Sequence, residues 1–113
     1  MKKLVLAALL AMTVGAQAAP VVTAEGPVEG ISNKGVIRFL SIPYAAPPVG
    51  ALRWMPPQPV AKWTAPRLAH KFGPTCAQVT TLGPFAGPPN SNEDCLYLNI
   101  FTGDMKAKRP VLV

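Results

Sequence analysis

Proline placement constrains this chain more than any other feature. All 14 prolines lie at position 20 or beyond, roughly three times average usage over the ~95 residues that follow position 18. Each removes a backbone donor and fixes φ, which excludes it from helix interiors and central sheet ladders. Pro43, Pro47, Pro48, Pro56, Pro57, Pro59 and Pro66 therefore rule out a helix of ordinary length between residues 43 and 66. A chain so rich in proline can be disordered, but this one also carries two tryptophans, two tyrosines and four phenylalanines. That is more apolar surface than a disordered chain of low hydrophobicity holds. Extended segments and fixed loops are the expected outcome.

Before the first proline the chain is different. Lys2 and Lys3 precede the apolar run Leu4 to Val14, and Ala16-Gln17-Ala18 follows with small residues at both specificity positions of a signal-peptidase site. The run is too short to cross a bilayer of about 30 Å as a helix. Residues 1–18 read as a cleavable signal peptide, with an uncut N-terminal anchor as the alternative. Export to the periplasm or the medium follows, without a stable membrane anchor. Without Lys2 and Lys3 the formal charge falls from +6 to +4. The remaining cations are scattered apart from Lys106, Lys108 and Arg109, which have no aromatic neighbour spaced to stack on bases. These three suit a solvated turn, and no nucleic-acid partner is expected.

Cys76 and Cys95 are the two cysteines. In an oxidising compartment such a pair closes a disulfide, stabilising the fold by about 3 kcal/mol through the unfolded chain. The alternatives, a metal site or a reactive thiol, find no supporting ligands, since the one histidine is His70. No metal and no cofactor are expected.

Along the remainder, Val21-Val22-Thr23 and Val28 to Ile31 are short β-branched runs. Ser32-Asn33-Lys34-Gly35 carries turn chemistry, and Val36 to Ile42 returns as the second arm of an antiparallel hairpin. Tyr44, Trp54 and Trp63 are interleaved with the prolines of 43–66. That segment is a flexible linker or an ordered loop, and the aromatic content favours a loop whose rings lie against a core. Arg67 to Lys71 is expected to make one helical turn before Gly73-Pro74, and residues 80–92 a surface loop. Cys95 to Phe101 alternates, with Leu96, Leu98 and Ile100 on one face, and predicts a strand with that face buried. Val111-Leu112-Val113, behind Arg109-Pro110, reads as the start of a strand covered on both sides.

Three blocks carry a family resemblance. Phe39-Leu40-Ser41-Ile42-Pro43-Tyr44-Ala45-Ala46-Pro47-Pro48-Val49-Gly50 with Leu52-Arg53-Trp54 resembles the start of type-B carboxylesterases, which include the cholinesterases. Phe72-Gly73-Pro74-Thr75-Cys76-Ala77-Gln78 resembles that family's first-cysteine region, and Glu93-Asp94-Cys95-Leu96-Tyr97-Leu98-Asn99-Ile100 one of its signature motifs. Ser41 stands where a glycine is usual, and Gly103 where a proline is common. The resemblance implies an α/β-hydrolase fold, of which residues 19–113 supply the N-terminal, mainly β part, incomplete in this chain. It also implies a Cys76–Cys95 disulfide and a structural ion pair, Arg53 with Glu93, buried and costly to break from one side. Glu93 and Asp94 as an acid/base dyad is the opposing reading. It fails because neighbours on a strand project to opposite faces.

The family's chemistry is hydrolysis of a small-molecule carboxylic ester by a serine nucleophile, a histidine base and an acidic orienter. The serine sits in a G-x-S-x-G elbow, near an H-G-G-G-type oxyanion loop. Ser32, Ser41 and Ser91 have no such flanks, no H-G-G-G run occurs, and His70 comes too early to match the family's base. No catalytic residue is therefore assigned. The expectation is an N-terminal segment of an exported serine esterase, truncated before the oxyanion loop and inactive by itself. A non-catalytic cholinesterase-like binding or adhesion module, or a small secreted disulfide-containing domain, is the alternative.

Overall fold

Short runs between prolines and glycines can form only short strands, and short strands dominate here. The computed structural model describes residues 16–78 and 91–113. Residues 1–15 of the expected leader and most of the expected 80–92 loop lie outside the described residues. The described residues form seven strands: β1 (Ala16–Gln17), β2 (Val21–Val22), β3 (Pro27–Glu29), β4 (Ile31–Asn33), β5 (Val36–Pro43), β6 (Arg67–Leu68) and β7 (Tyr97–Thr102). One 3-10 turn, Gly50–Leu52, is the sole helical element among the described residues.

The strands form two sheets. The larger runs in the order β1-β4-β5-β7, every pairing antiparallel; the smaller runs β2-β3-β6, with β3 and β6 parallel. The expected hairpin is β4–β5, with Asn33 opposite Val36. Its two loop residues are Lys34 and Gly35, at φ 49° and 78°. Positive φ at both positions matches the right-handed twist of the arms, and glycine adopts it without strain. The predicted strand Val28 to Ile31 is divided at Gly30, where the chain leaves the smaller sheet as β3 and enters the larger as β4. At β5 the register against β7 slips between Phe39 and Ile42.

Val28, Phe39 and Ala69 form the core between the sheets, with Val21, Ile37, Ile42 and Trp63 packed against it. Residues 67–71 are not helical. Arg67 lies opposite Val28 and Leu68 opposite Glu29. The Ala69 amide donates to the Glu29 carbonyl at 2.8 Å, and its carbonyl accepts from the Leu40 amide at 2.8 Å. One small buried residue thus joins both sheets, and these tertiary bonds outweigh a weak local helical preference.

The proline loop is ordered through its backbone. Tyr44 donates to Leu96, Ala46 to Gln58 and Trp63 to Glu25, at 3.2, 2.8 and 2.9 Å. Of its three large aromatics, only Trp63 lies against the core, whereas Tyr44 and Trp54 are exposed. Trp63 Nε1 donates to the Pro27 carbonyl at 2.8 Å. A Cβ at Gly26 would collide with Trp63, so only glycine allows the indole this close.

Two expectations about the C-terminal third need correction. Leu98 and Ile100 share a face as predicted, but that face stays exposed, and at Ile100 it borders an open groove toward Val21 and Val28 that is not packed closed. Val111, Leu112 and Val113 form no strand and are fully open, since no strand among the described residues offers them a ladder.

Candidate functional site

The resemblance-bearing residues converge where the proline loop meets the segment leading into β7. The 3-10 turn Gly50–Leu52 is closed by the Arg53 amide on the Gly50 carbonyl at 3.2 Å. It delivers Arg53 to Glu93, with Nη2 to Oε1 at 2.7 Å. Trp54 then takes a left-handed backbone, φ 63°, and its ring lies beside the guanidinium at 5.7 Å. Left-handed φ is uncommon for a bulky residue and turns the chain sharply here.

Cys76 and Cys95 form a disulfide, with Cα atoms 4.9 Å apart. It ties the first-cysteine region to the segment leading into β7. Pro48, Arg53, Trp54, Glu93 and the two cysteines line an open groove of about 260 Å³ beside it. The ion pair is not buried as the resemblance implied: its side chains are 51% and 38% exposed. Solvent screening holds such a pair to about 0–1 kcal/mol.

Glu93 and Asp94 face different partners. Glu93 turns to Arg53, whereas Asp94 Oδ1 accepts from the Tyr97 hydroxyl at 2.9 Å. Burial pushes the Tyr97 phenol above its ordinary range, and the Asp94 carboxylate adds to that; nearby Arg67 opposes it. Arg67 lies between the Trp63 and Tyr97 rings, 5.8 and 6.0 Å from their centres. This stack joins the proline loop, β6 and β7, and no feature of the sequence reading foresaw it. The signal was an arginine four residues after a tryptophan, too common to single out.

His70 lies just past β6, between Ala69 and the first-cysteine region, and its Nε2 is 3.5 Å from Glu29 Oε1. A histidine facing a carboxylate is two thirds of a hydrolytic triad, so a serine beside it would be decisive. No hydrogen bond links His70 to Ser32, Ser41 or Ser91 among the described residues. Both facing atoms are buried without a hydrogen-bond partner. Among the described residues, no three acidic, histidine or cysteine side chains are grouped as metal ligands. No helix there is long and apolar enough to cross a membrane.

The arrangement is that of a scaffold: a disulfide, an ion pair and an aromatic–cation stack that fix a loop against a strand. Comparison with known proteins gives it a place. The profile of the Carboxylesterase family matches residues 17–113. Fumonisin B1 esterase of Sphingopyxis macrogoltabida is 42% identical over 80% of this chain and 17% of its own length. Para-nitrobenzyl esterase of Bacillus subtilis (strain 168) is 38% identical over 82% of this chain and 20% of its own length. Among solved structures, a thermophilic pNB esterase superposes with a TM-score of 0.70 at 38% identity, over 78% of this chain and 19% of that one. A carboxylesterase of Geobacillus stearothermophilus gives 0.62 at 40% identity, over 74% and 16%. The chain spans about a fifth of the length of the relatives it matches. These neighbours have the α/β-hydrolase fold, and the sheets described here are its N-terminal, mainly β portion. The chain belongs to the carboxylesterase family.

Proposed function

We propose that this chain is the N-terminal part of an exported carboxylic-ester hydrolase that uses a serine nucleophile, and that the 113 residues alone do not catalyse. The observation that carries the reading is the convergence of three motif blocks on one spot, where Cys76–Cys95 and Arg53–Glu93 tie the proline loop to β7. The relatives that the chain matches are named for ester or related hydrolysis. Among the described residues the side chains brace and orient, and none has the environment of a nucleophile; no metal or other cofactor enters the proposed chemistry. The chemistry needs a G-x-S-x-G elbow and donors for the developing oxyanion, each donor contributing about 3–4 kcal/mol to transition-state stabilisation. Those groups are assigned to sequence beyond Val113. The substrate is a small-molecule carboxylic ester, and the leader directs the protein to the periplasm or the medium.

Sequencing the gene past codon 113 tests the reading. An H-G-G-G-type run within about ten codons, followed by G-x-S-x-G, is the expected continuation. An immediate stop codon with no such continuation in any frame would sink it. The purified 113-residue chain should leave a chromogenic ester unhydrolysed above the buffer rate; turnover by that chain would refute its predicted inactivity.

A further inference from the structure

The residues just before the predicted cleavage point are part of a sheet. Ala16 pairs with Ser32 and Gln17 with Ile31, making β1 the outer strand beside β4. The Ala18 amide donates to the Gly30 carbonyl at 3.0 Å. The acceptor strand is held firmly. A Cβ at Gly30 would meet the Arg38 carbonyl at 2.7 Å and the Phe39 ring at 2.8 Å, so the chain packs closely against β5 and the core residue Phe39 at this point. Ala16 and Gln17 are exposed. What is occupied is their main chain, not their side chains.

A protein that binds an extended segment does so by strand pairing, through the segment's own N–H and C=O groups. A peptidase reading residues 16–18 in this way competes with β4 for the same backbone. We infer that the β4–β5 hairpin guards the Ala18–Ala19 bond, so that the leader is removed only while the hairpin is open. The inference rests on the export reading above. Closure of the hairpin before processing seats the leader's last residues as β1. Processing first removes β1 and leaves β4 as the sheet edge, three residues long and ending in polar Ser32 and Asn33. A short polar edge of that kind resists adventitious strand pairing.

A terminal strand of two residues belongs to the low end of local stability, so the guard should slow cleavage about tenfold and not abolish it. The test uses the whole 113-residue chain, incubated with detergent-solubilised bacterial signal peptidase and followed by mass spectrometry for a product beginning at Ala19. Gly35→Val opens the hairpin, because a β-branched residue cannot hold φ 78°. It acts through the turn and not through a clash, since a Cβ at Gly35 meets nothing within 4 Å. Gly35→Asn keeps the left-handed turn. The expected result is cleavage about tenfold faster in Gly35→Val than in the unsubstituted chain, with Gly35→Asn as slow as the latter. Equal rates in all three overturn the guard and leave the leader reading standing. Absence of an Ala19 terminus from every variant sinks the leader reading, and the guard with it.

Discussion

Ser41 has a left-handed backbone, φ 62°, where β5 slips register against β7. Its amide donates to Asn99 Oδ1 at 2.9 Å, so a side chain on β7 replaces the ladder bond lost at the irregularity. An L-residue other than glycine is strained by roughly 1–2 kcal/mol in this conformation. Ser41→Gly, which retains the amide, should therefore stabilise the β5–β7 contact by about 0.5–1 kcal/mol, and Ser41→Val should weaken it. Hydrogen exchange at the Ser41 and Phe39 amides reads both; faster exchange in Ser41→Gly would show that no strain is stored there. The Arg53–Glu93 pair gives the opposite kind of residue-scale expectation. Its 2.7 Å contact suggests a strong interaction, but its exposure decides the outcome. A double-mutant cycle with Arg53→Ala and Glu93→Ala should give a coupling of about 0.2–1 kcal/mol that shrinks with added salt. A salt-insensitive coupling above about 3 kcal/mol would mean that the pair is buried in the folded protein.

Among the elements, the smaller sheet depends on one ring. β2 and β6 are two residues each, too short to persist on ladder bonds alone. Trp63 packs on their shared core, donates to Pro27, and has Arg67 stacked on it. Trp63→Ala should cost about 3 kcal/mol and release the β3–β6 ladder, seen as lost protection at the Ala69 amide. Trp63→Phe keeps most of the ring and loses one hydrogen bond, at about 1 kcal/mol. Equal effects from both variants would assign the contribution to the hydrogen bond and not to packing. The same comparison shows what the sequence could reveal. Hairpin β4–β5 was legible because β-branched residues flank a turn whose last residue is Gly35, and that information is local. Strand β6 was not legible: Arg67 and Leu68 carry no strand pattern and pair only because Ala69 is buried against Val28 and Phe39. At the site, the cysteines and the Arg53–Glu93 partners were legible through family motifs. The exposure of that pair, the Arg67 stack and the Glu29–His70 contact depend on packing that no local pattern encodes.

At the scale of the whole chain, apolar residues outnumber the surfaces available to bury them. Leu98, Ile100 and Phe101 on β7 are 38%, 45% and 55% exposed, and Val111 to Val113 are open to water. An apolar groove of about 260 Å³ runs between the sheets, walled by Val21, Val28, Phe39, Ile42, Ile100 and Met105. A strand with an apolar face and an unpaired edge is a template for another chain. Here β7 is the last strand of its sheet among the described residues. In the proposed full-length esterase these surfaces would be interior; in the 113-residue chain they meet solvent. The formal charge, +6 over the 113 residues and +4 over residues 19–113, opposes association only weakly at physiological salt. The isolated chain should therefore self-associate at micromolar concentration, giving broad, concentration-dependent profiles in gel filtration and sedimentation velocity. Lysine at Leu112 and Val113 places charge on the open apolar tail without touching the core of Val28, Phe39 and Ala69. The double variant should shift the distribution toward monomer and retain the disulfide and the hairpin. A sharp, concentration-independent monomer from the unsubstituted chain would contradict this reading and favour a small domain that stands alone.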